Sequence, residues 1–306
     1  MLAIIIPFYK LAYFEETIQS LANQSDQRFK VYIGDDASPE CPKKIIEKYQ
    51  DKFDVNYYRF NENLGSKSLT KQWQRCIDLS KSEKWIMILG DDDVLGSDVV
   101  AEFYKKIPVI DKEEIKVVRY SSQLINDKNE NISTAYTHPR IEKSTTFLIK
   151  KVRSQTRSSL SEYIFNKEKV LQVGFKDYPL GWYSDDMAVL EFSDFNTIYT
   201  INEAIVFVRF SLLSISGDLA VSREKNKAKF LFYYSLLSGN FFSKDQVQIL
   251  FPKLFQTYLS ERKQVLYFLR ITGLCIKSGE ILGYIGFLKS ILHTFSKRTK
   301  ESFNVK

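Results

Sequence analysis

Short apolar runs alternate with helix-periodic stretches over residues 1–120, and no other feature constrains the fold as strongly. Leu2–Ile6 is almost continuously apolar, as a strand buried on both faces requires. Phe29–Gly34, Val55–Phe60, Trp85–Leu89 and Ile115–Tyr120 read as four further strands. Between them, Tyr13–Ala22, Pro42–Tyr49, Leu69–Leu79 and Val99–Ile107 carry apolar residues at helical spacing. The order βαβαβαβαβ predicts an α/β fold with a mostly parallel central sheet covered on both faces. Such sheets bind ligands beyond the carboxyl ends of their strands.

The residues at those ends are polar and acidic. The first strand runs into Pro7-Phe8-Tyr9-Lys10, the second into Asp35-Asp36-Ala37-Ser38, and the third into Asn61-Glu62-Asn63-Leu64-Gly65. The fourth runs into Gly90-Asp91-Asp92-Asp93. Carboxylates crowded into one crevice repel unless pKa values rise or a cation intervenes. A single Asp-rich turn reads most simply as a solvated helix cap, but two at adjacent strand ends point to a site. With 3 cysteines far apart and 2 histidines, a disulfide framework, a thiolate cage and a zinc site are all disfavoured. Aspartates without His or Cys suit a hard cation, Mg²⁺ or Mn²⁺, which takes substrate phosphates as further ligands. The expectation is a nucleotide diphosphate site built around a divalent metal. No G-x-G-x-x-G or G-x-x-x-x-G-K-[ST] follows the first strand, which argues against a dinucleotide enzyme or a P-loop NTPase.

These motifs, in this order, resemble the family-2 glycosyltransferases, which have the GT-A (nucleotide-diphospho-sugar transferase) fold. The match comprises Ile4-Ile5-Ile6-Pro7-Phe8-Tyr9-Lys10, Ser20-Leu21-Ala22-Asn23-Gln24, Asp35-Asp36-Ala37-Ser38, Asn63-Leu64-Gly65 and Gly90-Asp91-Asp92-Asp93. It is clear over residues 1–100 and patchier over 101–216. The resemblance implies that Pro7, Tyr9, Asp36, Asn63 and Gly65 form the nucleotide side, with Tyr9 and Asp36 on the base. It places Asp91 near the ribose and makes Asp92 the leading metal ligand, with Asp93 beside it. A literal D-x-D reading uses Asp91 and Asp93 instead. Gly90 replaces the first acid of the usual pattern, and Leu69-Thr70-Lys71 departs from the family's A-R-N.

Transfer with inversion needs a general base on the face opposite the leaving nucleotide. Asp185-Asp186 opens an expected helix running through Glu191, with Ser184 as its cap. The family's E-D pair maps onto these two acids, and its second acid makes Asp186 the base. Trp182 offers a flat apolar face for an acceptor sugar. Arg209 ends an expected strand and is a candidate diphosphate clamp, followed by the small polar loop Ser214-Ile215-Ser216-Gly217. The polar stretch 126–158 reads as an acceptor-side loop. His138 has no partner motif and receives no chemistry.

The positive charge lies in one place. Residues 219–306 hold 15 Lys/Arg and 5 Asp/Glu, so the catalytic part, 1–218, is slightly acidic although the whole chain carries +7. Residues 1–120 form the nucleotide-binding half of that part and 121–218 the acceptor-side half. In 219–306, Lys229–Leu237, Val247–Leu259, Val265–Ile276 and Ile281–Phe295 read as four helices rich in aromatics. They suit a packed helical cap or contact with an anionic membrane surface, and no nucleic-acid motif is present. The start lacks signal-peptide features, and no run approaches about 20 apolar residues. Taken together, the expectation is a cytoplasmic enzyme, peripheral at the inner face of the membrane. It moves a sugar from a nucleotide-diphospho-sugar donor to a glycan or lipid-linked acceptor. A nucleotidyltransferase and an inactive nucleotide-sugar-binding module are the competing functions.

Overall fold

The computed structural model describes residues 1–211, 222–261 and 264–303, with side chains through residue 293. The chain divides into two compact units, Met1–Val221 and Ser222–Lys306.

The first unit is built on one nine-stranded mixed sheet. Its strands are β1 (Leu2–Phe8), β2 (Phe29–Asp35), β3 (Asp54–Arg59), β4 (Trp85–Ile88), β5 (Val94–Leu95), β6 (Val117–Ile125), β7 (Ile141–Lys143), β8 (Tyr163–Asn166) and β9 (Thr197–Arg209). Its helices are α1 (Phe14–Ala22), α2 (Lys43–Tyr49), α3 (Leu69–Ile77), α4 (Val99–Lys112), α5 (Ser144–Val152), α6 (Lys167–Val173) and α7 (Ser184–Phe192). The spatial order is β3-β2-β1-β4-β8-β6-β9-β5, with β7 on β9. Strands β1–β4 pair in parallel, as do β6 and β9. β8 runs antiparallel between β4 and β6.

Period-two alternation along β1 explains the two cores. Leu2, Ile4, Ile6 and Phe8 pack on one face with Phe14, Ile18 and Leu21 of α1 and Val99, Val100 and Phe103 of α4. Ala3 and Ile5 pack on the other with Trp73, Cys76 and Ile77 of α3 and Phe192 of α7. Because β2, β1 and β4 are neighbours, the residues after Phe8, Asp35 and Ile88 line one edge of the sheet. This is where the sequence places the acids.

Three expectations need correction. The strand expected at Ile115–Tyr120 is displaced to Val117–Ile125, and β8 separates it from β4. Residues 126–158 are not one loop, since they include β7 and α5, and Phe147, Leu148 and Ile149 of α5 are buried. Their charged and hydroxylated neighbours hide the apolar stripe in a sequence window. Helix α4 continues through Pro108, beyond the expected end at Ile107, and buries Ile110.

The second unit contains α8 (Ser222–Ser238), α9 (Lys244–Ser260), α10 (Val265–Ser278) and α11 (Ile281–Phe303). The expected helical periods correspond to these four elements. Aromatic packing dominates its core: Phe230 stacks on Tyr267 at 3.6 Å, and Phe255 on Phe287 at 4.7 Å. A Ser243–Gln246 capping box starts α9.

Candidate active site

The site begins with the turn after β1. Asp91 Oδ2 accepts hydrogen bonds from the backbone N–H groups of Tyr9 and Lys10, both at 2.8 Å. This ties the end of β4 to the end of β1 and leaves the Tyr9 side chain 37% exposed. The Tyr9 carbonyl in turn accepts from Ser38 Oγ at 2.7 Å. Pro7 lies within β1, paired with Gly34 of β2.

The acids after β2 are fully engaged. Asp35 is buried and accepts from Ser38 N, from Tyr57 Oη at 2.6 Å and from Arg59 Nη1 at 2.8 Å. Asp36 accepts from the N–H groups of Leu64 at 2.7 Å and Gly65 at 2.9 Å, and pairs with Arg75. Arg75 also lies over the Phe60 ring at 3.9 Å. Asn63 closes the same loop by accepting from Ser66 N at 2.9 Å. A Cβ at Gly65 would stand 2.6 Å from Asp36 Oδ2, so only glycine lets the loop come this close. Two arginines therefore neutralise this pair, and Asp36, expected on the nucleotide base, is engaged by the loop at residues 64–65. Neither Arg59 nor Arg75 stands in a motif that could have announced it.

The cluster after β4 is different. Asp93 Oδ1 accepts from Arg209 N at 2.8 Å, and Asp93 Oδ2 from Ser161 Oγ at 2.5 Å. Both oxygens of this expected metal ligand are thus occupied from within the protein. The Asp92 carboxylate has no hydrogen bond to another residue among those described, and the residue is half-buried. Burial, with Asp93 and Asp91 beside it, pushes its carboxyl up to about 8. Burial also raises Asp91 and Asp93. Glycine at position 90 has a steric reason: a Cβ there would stand 3.0 Å from both Asp92 Oδ1 and Asp93 Oδ2.

Arg209 braces this cluster. Its Nε donates to the Asp92 carbonyl at 2.9 Å, Nη1 to the Asn126 carbonyl at 2.7 Å, and Nη2 to Asn129 Oδ1 at 2.6 Å. The guanidinium also covers the Tyr13 ring at 4.3 Å. Its fork is directed at the protein, and the side chain is buried. Ser214–Gly217 lies outside the described residues.

Helix α7 presents Asp185 and Asp186. Ser184 is the first helical residue, not the cap, because the left-handed backbone of Tyr183 (φ 66°) turns the chain into the helix. Asp186 is buried and its Oδ1 lies 2.5 Å from Lys151 Nζ. Burial, together with Asp186, pushes Asp185 up to about 6. Trp182 is half-buried in the turn before α7, where Leu180, Gly181 and Tyr183 all have positive φ. Asp177 anchors that turn to α3 by accepting from Ser68 Oγ and Thr70 Oγ1, each at 2.7 Å.

Sequence reading missed Ser161, Lys151 and Arg157. Ser161 joins Asp93 to the segment before β8 and also accepts from Gly90 N at 3.0 Å. Arg157 Nη1 stands 3.8 Å from Glu162 Oε2 and donates to Ser122 Oγ at 3.2 Å. Glu162 is fully buried and burial pushes it up to about 7. The S-x-x-E spacing of Ser159 and Glu162, whose Oε2 accepts from Ser159 N at 3.2 Å, is the signal that could have marked this segment. His138 is buried against Phe147 and stays outside this constellation.

A central sheet of mostly parallel strands with acids after β2 and β4, followed by helices, is the architecture of the GT-A fold. Residues 3–172 match the family profile described as Glycosyl transferase family 2, and the chain belongs to that family. Its fold is similar to that of S. aureus TarS residues 1–349 in complex with UDP-GlcNAc. There the TM-score is 0.64 at 16% identity, covering 85% of this chain and 73% of TarS 1–349. The same fragment with UDP gives a TM-score of 0.61 at 15% identity, over 86% and 73% of the two chains. GalNAc-T7 with UDP, GalNAc and Mn²⁺ gives 0.54 at 10% identity, over 87% and 57%. The comparison with curated protein sequences gives no match.

Proposed function

We propose that this glycosyltransferase is inverting and metal-dependent, and that it builds cell-surface polysaccharide or glycolipid from a nucleotide-diphospho-sugar. The observation that carries the reading is the open Asp92 carboxylate between two engaged acids. No three His, Cys, Asp or Glu side chains stand together as a self-sufficient metal cage among the described residues. One open carboxylate plus substrate phosphates is nonetheless the donor set that Mg²⁺ or Mn²⁺ accepts. Asp92 would hold the ion, which supplies Lewis-acid stabilisation of the departing diphosphate.

The chain's own residues do the rest. The Tyr9 ring offers a face to the base, and Asp36 shapes the adjacent loop through the Leu64 and Gly65 N–H groups. Asp91 fixes the turn carrying Tyr9, and Arg209 and Asp93 hold Asp92 in place. A carboxylate of the Asp185–Asp186 pair takes the proton of the acceptor hydroxyl as it attacks. Trp182 lies next to that pair as a stacking surface for the acceptor. The UDP and UDP-GlcNAc carried by the TarS structures support a uridine donor.

The helical unit adds a place of action. Val265, Leu266, Leu269 and Ile276 of α10, and Ile281, Leu282 and Leu292 of α11, are exposed. Among the described residues no helix is long and apolar enough to cross a membrane. Exposed apolar side chains on a basic segment suit the surface of an anionic bilayer, where a lipid-linked acceptor would be met.

A screen of UDP-, GDP- and dTDP-sugars, with Mn²⁺ and with chelator, tests the function. Metal-dependent release of one nucleoside diphosphate supports it. Nucleotide binding without turnover of any donor would favour the inactive-module reading.

A further inference from the structure

Lys151 lies in the last turn of α5, and its ammonium reaches α7. Nζ stands 2.5 Å from Asp186 Oδ1 and donates to Ser158 Oγ at 3.1 Å. The Lys151 and Asp186 side chains are 24% and 5% exposed. The adjacent lysine faces elsewhere: Lys150 pairs with Glu142 at 2.5 Å, beside the buried Arg119–Glu142 pair. Asp186 Oδ2 has no hydrogen bond among the described residues. Two consecutive carboxylates at one helix start repel each other, and burial sharpens the repulsion. A cation fixed on one oxygen of such a carboxylate sets its direction.

We propose that Lys151 is a positioning residue for the acceptor-activating base: it holds Asp186 Oδ1 and so leaves Oδ2 to receive the acceptor's proton. The proposal rests on the glycosyl-transfer reading above. In the step, the acceptor O–H bond breaks and its proton passes to Asp186 Oδ2. The acceptor oxygen bonds to the anomeric carbon, and the bond from that carbon to the diphosphate breaks, its electron pair leaving with the nucleotide. Around the ammonium lie Asp185 and Asp186 on α7, Tyr183 before it, and Glu162 just before β8, while Tyr163 of β8 lies near Asp186. Burial lowers the lysine, and Asp186, Asp185 and Glu162 together raise it above its ordinary value. Lys151 in turn pulls Asp185 down against burial and Asp186.

The test uses the full chain with Lys151→Met and Lys151→Arg. Calorimetry with a nucleoside diphosphate and Mn²⁺ first confirms that the donor half is intact. In Lys151→Met, kcat is expected to fall by about tenfold or more, with the donor KM within about twofold of wild type. The acid limb of the pH–rate profile moves to higher pH, and Lys151→Arg restores both rate and profile. A ¹³C NMR titration of the aspartate carboxyls reads the same effect without turnover, with the Asp185 midpoint rising in Lys151→Met. Unchanged profile and unchanged carboxyl titration in a folded Lys151→Met protein would overturn the proposal. If wild type turns over no nucleotide sugar, the functional reading fails, and the base-positioning role fails with it even where the carboxyl titration moves.

Discussion

Asp93 and Ser161 meet at 2.5 Å, and this contact stitches the end of β4 to the segment that leads into β8. The second oxygen of Asp93 holds the backbone N–H of Arg209 at the end of β9. One buried carboxylate thus joins three parts of the sheet, and its duty is to hold the cluster. Asp93→Asn should therefore lower stability by about 1–3 kcal/mol, the range for a buried hydrogen bond to a charged group. Ser161→Ala should cost less, about 1 kcal/mol. Urea melts of the two variants check this, and equal stability of Asp93→Asn and wild type would contradict the bracing role.

Arg75 secures the loop of residues 63–65 through Asp36. Arg75→Met leaves the Asp36 carboxylate, 6% exposed, without its cation. The expected cost is about 2–3 kcal/mol, below the full penalty for a broken buried pair because Arg75 is itself 19% exposed. Nucleotide affinity should fall as well, since residues 63–65 lose their anchor. Hydrogen exchange at the Leu64 and Gly65 amides reports the loosening directly.

His138 makes a pH signature that has nothing to do with catalysis. Burial, with Arg119 and Lys150 nearby, pushes it down to about 3 from an ordinary 6.5. A depressed folded-state value means that the unfolded chain binds the proton first as pH falls. Its stabilising contribution is full above about pH 6.5 and drains away between about 6.5 and 3. From pH 6.5 to pH 5 the loss is about 2 kcal/mol. His138→Phe should flatten denaturant-measured stability over that interval and leave the rate profile alone. An undiminished slope in the variant would show that other groups carry it.

The exposed apolar side chains of α10 and α11 predict co-flotation with vesicles containing anionic lipid. Leu282 is 86% exposed and Leu266 55%. Leu266→Glu with Leu282→Glu should abolish flotation and leave hydrolysis of soluble donor intact. Flotation with neutral vesicles alone would point away from the charge-assisted contact.

Much of this arrangement was legible in the sequence because it is periodic. The β1–β4 half follows from apolar runs and helical stripes, and the acids directly after those strands follow from the chain order. The pairing of β8 between β4 and β6 was not legible, since four buried residues, Tyr163–Asn166, carry no period of their own. Helix α5 was obscured by its two lysines, Lys150 and Lys151, which form ion pairs with Glu142 and Asp186. The division of labour among Asp91, Asp92 and Asp93 was out of reach for a different reason. It depends on Tyr9, Ser161 and Arg209, which lie far away along the chain and reach these carboxylates only in the folded state.

Asp92 is the carboxylate on which the proposed metal and donor binding depend. Calorimetric titration of UDP into wild type, Asp92→Asn and Asp93→Asn, each with Mn²⁺ and with chelator, tests it most directly. Wild type should bind only with Mn²⁺, Asp92→Asn should lose that binding while remaining folded, and folded Asp93→Asn should keep a metal-dependent signal. Binding by Asp92→Asn equal to wild type, or wild-type binding indifferent to chelator, would contradict the account.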